Sequence, residues 1–490
     1  MITETGQLIE NVVGGERVSV ETAEVLDVLD PATGEVLARV PLSGADEVDR
    51  ATRAAQDAWP AWADTPVPER ARAMFRLQAL YERDFEELSE LVTLENGKAI
   101  DEARGEVRRG IDVIEFAAGM PTLMMGSALE QVSRGYDSEL FRHPLGVVAA
   151  ITPFNFPSMV PLWTAPIAVA AGNAYILKPS QRTPLSALRM AELFAEAGIP
   201  PGIFGVVHGA ADAVNAICDH PLIRAVSFVG SAPVAKHVYA RCAAAGKRVQ
   251  ALAGAKNHIV VMPDADLELA VPGVFSSAFA NAGQRCLAVA VGVAVGRVAD
   301  ELADRLAQRA REARIGPGLD PENTITPVTT EEARRRITDY VELGEREGAR
   351  LLVDGRREQA DGGGFFLGPT ILDDVRPEMR VAQEEIFGPV LSLERVDSLD
   401  EALEVIARIE FGNATAIFTR DGGVAREFRR RVTAGMVGIN VPVPAAMAFF
   451  PFAGWKGSFY GDLHATGRDG VRFFTETKVV TTRWPSGRGR

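Results

Sequence analysis

The chain is poor in cysteine and lacks the features of a secreted protein. Its 490 residues include three cysteines, at positions 218, 242 and 286, with no Cys-x-x-Cys pair, and this excludes a disulfide framework. The N-terminus has neither the basic start nor the apolar core of a signal peptide. The longest apolar stretch, residues 159–171, contains two prolines and is too short to span a bilayer. We expect a cytoplasmic protein with no membrane partner.

Several catalytic signatures are also missing. The six histidines form no His-Glu-x-x-His pair, and no cluster has the ligand spacing of a zinc site, so we expect no metal. No Walker loop and no Gly-x-Ser-x-Gly elbow occurs, which argues against phosphoryl transfer and serine hydrolysis. No strand is followed by the standard dinucleotide fingerprint Gly-x-Gly-x-x-Gly. The net charge of −14 argues against a nucleic-acid partner.

The patterned part of the chain is typical of α/β proteins. A hairpin is predicted over residues 25–42, with helices over 45–59 and 68–96. From 146 to 263, and again from 292 to about 440, short apolar strands alternate with helices. This alternation predicts parallel sheets that bind ligands beyond the carboxyl ends of their strands. The strands predicted in the first region are 146–151, 174–177, 204–207, 225–229, 248–252 and 258–262, with helices at 159–172 and 184–197.

Five short motifs, in order over more than 200 residues, resemble those of the aldehyde dehydrogenase superfamily: Pro153–Pro157, Leu177–Ser180, Phe228–Ser231, Gly283–Cys286 and Glu385–Pro389. The resemblance spans essentially the whole chain. It implies an aldehyde dehydrogenase-like α/β fold with two parallel-sheet domains and a β oligomerisation arm, in a homo-oligomer that is a tetramer or a dimer. The implied divisions are a Rossmann-like NAD-binding domain at 1–123 and 146–253, a catalytic domain at 254–469, and the arm at 124–145 and 470–490.

Cys286 is the expected nucleophile. The resemblance implies that its thiolate adds to an aldehyde carbonyl, giving a tetrahedral adduct that expels hydride. The side-chain amide of Asn155 and the backbone N–H of Cys286 would hold the developing oxyanion. Without its motif, a lone cysteine is more often a buried structural residue, and that interpretation stays with Cys218 and Cys242.

The resemblance also implies which residues hold the cofactor. Lys178 would reach the adenosine ribose, Glu385 the nicotinamide ribose, and Phe387 would lie beside the nicotinamide. Ser231 begins a predicted helix whose free N–H groups suit the pyrophosphate, although a simple N-cap would also explain this serine. The full predicted set is Thr152, Phe154, Lys178, Gln181, Arg182, Ser231, Ala253, Glu385 and Phe387.

Gln181 and Arg182 bear on the choice between NAD and NADP. Many NAD-dependent relatives carry a glutamate directly after the Lys-Pro-Ser segment, where it repels a 2′-phosphate. Gln181 removes that repulsion, and the guanidinium of Arg182 could pair with a phosphate. NAD is the expected cofactor, with NADP as the alternative.

Leu252 stands where hydrolytic relatives carry the glutamate that activates water, and a leucine cannot act as a general base. The acyl-enzyme should therefore wait for a better nucleophile, the thiol of coenzyme A. The chain resembles the CoA-acylating branch that contains the methylmalonate-semialdehyde (malonate-semialdehyde) dehydrogenases, through residues 102–110, 254–258, 448–456 and 461–465. That branch implies oxidative decarboxylation of malonate or methylmalonate semialdehyde with NAD and coenzyme A, giving acetyl-CoA or propionyl-CoA, carbon dioxide or bicarbonate, and NADH.

A substrate carboxylate needs a cation near Cys286, and the resemblance implies Arg109 and Arg285 for this role. In the helix predicted over residues 101–117, Arg109 shares an apolar face with Val113 and Phe116, so it needs an anion. That anion could instead be an internal carboxylate. Arg104 and Arg108 lie on the polar side of this helix and are predicted to be solvated.

Two rival functions stay open at this point. One is a hydrolytic, CoA-independent semialdehyde dehydrogenase, for instance one that acts on succinate semialdehyde. The other is a catalytically silent relative that only binds ligands or has a structural role. A silent relative would be expected to lose Cys286, Asn155 or Glu385, and all three are present.

Overall fold

A computed structural model describes residues 6–21, 24–356, 363–445 and 447–484. Among these residues, no helix is long and apolar enough to cross a membrane. The helices are α1 (Ala45–Asp64), α2 (Val67–Arg83), α3 (Phe85–Asn96), α4 (Ile100–Ala118), α5 (Met120–Leu123), α6 (Met159–Leu162), α7 (Ala165–Ala170), α8 (Leu185–Glu196), α9 (Ala211–Asp219), α10 (Ala232–Ala244), α11 (Leu267–Phe279), α12 (Ala299–Arg311), α13 (Glu331–Glu347), α14 (Arg380–Gln383), α15 (Leu399–Arg408), α16 (Gly422–Arg431) and α17 (Gly467–Phe473).

The first large sheet has eight strands, and its five central strands are parallel. The central strands β7 (Val147–Ile151) and β8 (Ala174–Lys178) are buried along their whole length, as expected for a parallel sheet covered on both faces. The chain passes from β7 to β8 on one side and later returns to place β10 (Ile223–Val229) on the other side of β7. Such a reversal of the strand order predicts a ligand crevice beyond the carboxyl ends of β7 and β10. In spatial order the strands are β2 (Glu16–Val18), β1 (Asn11–Val13), β9 (Phe204–Val206), β8 (Ala174–Lys178), β7 (Val147–Ile151), β10 (Ile223–Val229), β11 (Arg248–Leu252) and β21 (Phe459–Tyr460).

The second large sheet has seven strands, all parallel to their neighbours except the antiparallel edge strand β14. Two parallel-containing sheets with helices between the strands confirm the predicted α/β class. In spatial order the strands are β14 (Arg350–Val353), β15 (Thr370–Asp373), β16 (Val390–Val396), β13 (Val289–Val295), β12 (Asn257–Val261), β18 (Ala414–Phe418) and β19 (Met436–Ile439).

Three small antiparallel sheets complete the described fold. The predicted hairpin is confirmed as β3 (Val25–Leu29) and β4 (Val36–Pro41). The three-stranded sheet joins the two segments expected to form the arm, because β22 pairs with β6 along all nine residues. Its outer strand, β5, is exposed along its whole length. The remaining strands are β5 (Ser127–Ser133), β6 (Tyr136–Pro144), β17 (Phe411–Gly412), β20 (Trp455–Lys456) and β22 (Thr475–Arg483).

Three predictions of single elements were wrong in part. The helix predicted over 68–96 is two helices, α2 and α3, separated at Asp84. The helix predicted over 159–172 is also two, α6 and α7, and Pro166 lies in the first turn of α7, where its missing N–H costs least. The strand predicted at 258–262 belongs to the second sheet, not to the first. A fully buried apolar strand has the same pattern in either sheet, so periodicity could not separate them.

A buried arginine joins three helices beneath the first sheet. Arg70, in α2, is 2% exposed. Its Nε donates to the carbonyl of Ala170 at 2.9 Å, and Nη1 donates to the carbonyl of Ala63 at 3.1 Å. The carbonyls of Trp62, Thr65 and Ala171 accept further hydrogen bonds. Burial lowers the pKa of the guanidinium to about 10, yet the charge is retained at neutral pH because backbone dipoles surround it.

Replacement of Arg70 with methionine should therefore destabilise the protein, because it leaves several buried carbonyls without donors. We expect a loss of roughly 3 kcal/mol, seen as a lower midpoint of thermal unfolding. Arg72→Met is the matched control, since Arg72 lies two residues away and is exposed. The control should change stability by less than about 0.5 kcal/mol. Equal midpoints for the two variants would contradict this account of Arg70.

Candidate active site

Cys286 lies in a sharply turned loop between α11 and β13. Asn281, Ala282 and Gly283 all have positive φ angles, of 50°, 49° and 71°. A Cβ on Gly283 would lie 2.1 Å from the carbonyl oxygen of Gly388, so only glycine fits at this position. The backbone N–H of Asn281 donates to Glu102 at 2.8 Å. This contact ties the turned loop to α4.

The backbone of Cys286 is held by two side-chain amides. Asn257 and Asn413 both donate to the carbonyl of Cys286, at 2.9 and 2.8 Å. Asn257 also donates to the carbonyl of Ala288 at 2.9 Å and accepts from the N–H of Ala414 at 3.0 Å. The two asparagines therefore fix the peptide that follows the nucleophile. Sequence analysis did not single out either residue, although Asn257 lies in the 254–258 segment that carried the closer resemblance.

Asn155 lies against the loop that carries Cys286. Its Nδ2 donates to the carbonyl of Gln284 at 2.9 Å, which uses one of the two amide hydrogens. The backbone carbonyl of Asn155 accepts hydrogen bonds from Lys98 Nζ at 2.7 Å and from Asn281 Nδ2 at 3.2 Å. The side-chain amide is thus held against the Cys286 loop by one hydrogen bond, which leaves its second N–H free, while Lys98 and Asn281 hold the backbone of Asn155.

A buried ion pair fixes the backbone around Asn155. Lys98 Nζ and Glu106 Oε2 are 2.5 Å apart, and both side chains are at most 1% exposed. The other oxygen of Glu106 accepts from the N–H groups of Ser158 and Met159, at 2.8 and 3.0 Å. Lys98 also lies over the ring of Phe156, 4.0 Å from its centre. Neither charged residue was identified from the sequence, because only the fold shows that they are buried and adjacent.

A cavity of about 480 Å³ opens onto Cys286. Both arginines predicted to bind a carboxylate, Arg109 and Arg285, line it. Its remaining walls are largely apolar and include Val113, Phe156, Met159, Trp163, Leu287, Val443 and Phe452. A largely apolar chamber with arginines beside a cysteine suits a small organic anion that carries a reactive carbon.

The two arginines differ in their partners. Among the residues that the structure describes, Arg109 forms no ion pair and no hydrogen bond, so the internal carboxylate considered as its alternative partner is not found. Burial and the charge of Arg285 lower the pKa of Arg109. Arg285 Nη1 lies 3.5 Å from an oxygen of Glu102. Arg104 and Arg108 are solvent-accessible and pair with other carboxylates, as predicted for solvated side chains, although Arg108 also lines the rim of the cavity.

The crevice of the first sheet collects several residues predicted to bind the cofactor. Thr152 follows β7, and its buried hydroxyl has no partner among the described residues. Ser231 is exposed and begins α10 without a capping bond, so the first N–H groups of α10 can meet an anion. Lys178 ends β8 and donates to the carbonyl of Gly209 at 2.7 Å, and burial lowers its pKa to about 8. Free donors and hydroxyls at this edge fit a dinucleotide.

Gln181 and Arg182 lie beyond β8 and are both half-buried. The Arg182 guanidinium is 3.8 Å from the carboxylate of Glu332, at the start of α13. A phosphate near Arg182 would compete with Glu332 for this charge. Because Arg182 already has an anionic partner in Glu332, we expect it to contribute less to NADP binding than the sequence suggested.

The other predicted cofactor residues lie between the two large sheets. Glu385 accepts from the N–H of Ala255 at 3.0 Å, and burial raises the pKa of its carboxyl. Phe387 has a positive φ of 53° and packs edge-on against Phe154, with ring centres 5.9 Å apart. Ala253 donates its N–H to the carbonyl of Ser458 at 2.8 Å. Glu385 and Phe387 also line a small cavity together with Gly283 and Arg285, the residue before Cys286.

The environment of the Cys286 thiol disfavours its charged form. Burial raises its pKa to about 11, while the positive charge of Arg285 opposes this increase. Leu252, at the end of β11, is 4% exposed and carries no titratable group. Cys218 and Cys242 are fully buried, away from the cavity lining.

Comparison with known proteins gives a consistent set of relatives. A model of the aldehyde dehydrogenase family matches residues 18–480. Malonate-semialdehyde dehydrogenase 1 of Geobacillus kaustophilus is 56% identical over 478 residues, covering 97% of this chain and 98% of that protein.

Solved structures agree with the sequence relatives. The structure of methylmalonate-semialdehyde dehydrogenase from Oceanimonas doudoroffii has a TM-score of 0.97 at 45% identity, and the match covers 98% of this chain and 99% of that one. The NAD⁺ complex of an aldehyde dehydrogenase from Bacillus cereus has a TM-score of 0.92 at 32% identity, with 97% and 96% covered.

The raised pKa of Cys286 predicts slow alkylation of the cofactor-free protein near neutral pH. The thiolate is the reactive form, so the rate with iodoacetamide should rise about tenfold per pH unit from pH 7 to 9. Mass spectrometry should place the label on Cys286 alone, and Cys286→Ala should abolish it. Because Arg285 lowers this pKa, Arg285→Met should slow the reaction further. A rate that levels off below pH 8 would contradict the prediction.

Proposed function

The chain belongs to the aldehyde dehydrogenase family, and on that premise we propose that it oxidises malonate or methylmalonate semialdehyde with NAD and coenzyme A. The products would be acetyl-CoA or propionyl-CoA, carbon dioxide or bicarbonate, and NADH. One observation carries the proposal: Arg109 and Arg285 share a cavity with Cys286. The names of the relatives from Geobacillus kaustophilus and Oceanimonas doudoroffii support it.

Cys286 and Asn155 would act in the first step. The thiolate adds to the aldehyde carbon, and the carbonyl oxygen becomes an oxyanion. The free N–H of Asn155 and the backbone N–H of Cys286 would stabilise this charge. The hydrogen bond from Asn155 Nδ2 to the carbonyl of Gln284 supports this role, since it holds the amide against the loop that carries Cys286.

The two arginines would select the substrate. The carboxylate of a semialdehyde would pair with Arg109, which has no anion of its own among the described residues, and with Arg285. A small aldehyde without a carboxylate would gain no ion pair with either guanidinium group. The cavity therefore favours short aldehydes that end in a carboxylate.

NAD would supply the hydride acceptor. Thr152, Lys178 and Ser231 would hold its adenosine and pyrophosphate portions, and Glu385 and Phe387 its nicotinamide portion. Phe154, Gln181, Arg182 and Ala253 would border it. The NAD⁺ complex of the Bacillus cereus relative supports NAD as the cofactor.

Coenzyme A would complete the reaction. The buried Leu252 offers no base to activate water, so the thioester on Cys286 would persist until a thiol arrives. Before that transfer, the thioester carbonyl would be β to the substrate carboxylate. Loss of carbon dioxide would leave an enolate oxygen in the place of the first oxyanion, where Asn155 and the Cys286 N–H can stabilise it.

The domain limits at 1–123 with 146–253, 254–469, and 124–145 with 470–490 stay predictions, as does the homo-oligomer. We propose that the exposed edge of β5 meets a second copy of the chain.

The most direct test is steady-state NADH formation from malonate semialdehyde, with and without coenzyme A, using NAD and NADP in parallel. Without coenzyme A we expect a burst of NADH equal to the enzyme concentration and then little turnover, and Cys286→Ala should abolish the burst. Full turnover without coenzyme A, with release of free acid, would favour a hydrolytic enzyme. Succinate semialdehyde should be tested in the same assay, because that hydrolytic class includes enzymes for it.

Arg109→Leu should separate carboxylate binding from chemistry. We expect kcat/KM for malonate semialdehyde to fall roughly a hundredfold, because the ion pair between Arg109 and the substrate carboxylate is lost. The kcat/KM for propanal, which has no carboxylate, should change by less than about threefold. Arg104→Leu is the matched control, because Arg104 lies on the same helix outside the cavity lining and pairs with Glu86 and Asp101. An equal loss for both aldehydes would refute the role of Arg109.

A further inference from the structure

Glu102 is an acidic residue in the lining of the cavity that carries the two arginines. It lies in the first turn of α4, seven residues before Arg109, so the two side chains share one face of the helix. One oxygen of Glu102 accepts from the backbone N–H of Asn281 at 2.8 Å. The other lies 3.5 Å from Nη1 of Arg285. Glu102 therefore touches both the nucleophile loop and one of the cations.

The contact between Glu102 and Arg285 is long. Charge-assisted hydrogen bonds between guanidinium and carboxylate are usually about 2.7 to 2.9 Å. Both side chains are still partly accessible, at 25% and 16% exposure. Arg285 is thus only partly neutralised, and an incoming carboxylate can share it. The other acids in the lining are Glu106, which is paired with Lys98, and Asp112.

Loss of carbon dioxide moves negative charge across this cavity. The bond between the carboxylate carbon and the neighbouring carbon breaks, and its electron pair passes into the thioester to form an enolate. Carbon dioxide leaves as a neutral molecule, and a proton from solvent then adds to the enolate carbon. The charge therefore leaves the arginines and appears beside Asn155 and the backbone N–H of Cys286.

This charge movement sets a limit on how tightly the arginines should hold the carboxylate. A group that stabilises the carboxylate more than the transition state lowers the rate of the step. Two unpaired guanidinium groups would do this. A protein carboxylate that competes for one of the two arginines would weaken its binding of the substrate carboxylate. The same carboxylate would stabilise the freed arginine as carbon dioxide departs.

We propose that Glu102 is a positioning residue that weakens the ion pair between Arg285 and the substrate carboxylate. When carbon dioxide leaves, Glu102 pairs with Arg285 again. The inference rests on the proposed function. It makes Glu102 a determinant of the decarboxylation step, acting through Arg285 and not by contact with the reacting carbon.

Glu102→Gln tests the proposal, because the amide oxygen can still accept from the N–H of Asn281 while the charge is lost. With malonate semialdehyde we expect KM to fall roughly fivefold, as the competing charge is removed. In single turnovers without coenzyme A, release of carbon dioxide should slow roughly fivefold, while the NADH burst keeps its rate. With propanal, KM and the burst rate should change by less than about twofold.

Two controls show whether the effect passes through Arg285. Asp101→Asn removes a neighbouring charge that is exposed and paired with Arg104. It should leave KM and the NADH burst rate unchanged for both malonate semialdehyde and propanal. In an Arg285→Met background, Glu102→Gln should have no further effect on the release of carbon dioxide. If Glu102→Gln does not fold, Glu102→Asp should shift KM and carbon dioxide release in the same directions by smaller factors, since its shorter side chain lies farther from Arg285.

Three results would overturn the inference: a higher KM for the semialdehyde in Glu102→Gln or Glu102→Asp, equal slowing of the NADH burst and of carbon dioxide release, or an unchanged effect in the Arg285→Met background. Each would mean that Glu102 only anchors the loop at Asn281. Failure of the proposed function is distinct, because the unmodified enzyme would then form neither carbon dioxide nor bicarbonate from malonate semialdehyde.

Discussion

The buried ion pair between Lys98 and Glu106 is the contact on which the geometry of the site depends. Removing two charges from water costs several kcal/mol for each ion, so such a pair persists only where further hydrogen bonds complete it. Here those bonds come from the functional loop itself, through the carbonyl of Asn155 and the N–H groups of Ser158 and Met159. The cost of burial is thus compensated by the same contacts that fix the oxyanion donor.

Helix α4 brings the parts of the site together. Glu102, Glu106 and Arg109 lie on one face of it, and each serves a different part of the cavity. Glu102 holds the nucleophile loop, Glu106 the Asn155 loop, and Arg109 faces the space between them. One helix thus contacts both the loop that carries Cys286 and the loop that carries Asn155.

Much of the site could be predicted from the sequence because its chemistry is local to short motifs. The motifs that carry the resemblance pointed to Cys286, Asn155 and Arg109, and the structure brings these three residues to one site. The residues that were missed act at long range: Glu106 bonds to residues more than 50 positions away, and Asn413 lies 127 positions from Cys286. No pattern in a single segment signals such a partner.

The sequence alone determined the α/β class and the order of the strands along the chain, and it predicted Cys286 as the nucleophile, since hydrophobic periodicity and motif chemistry are properties of contiguous residues. Only the tertiary structure decided which strands share a sheet, which arginine is left without an anion among the described residues, and which acids hold the loops. These depend on burial and on the distance between remote side chains. Burial makes a carboxylate or an ammonium group costly unless a specific partner meets it, and the folded chain alone shows which partner does so.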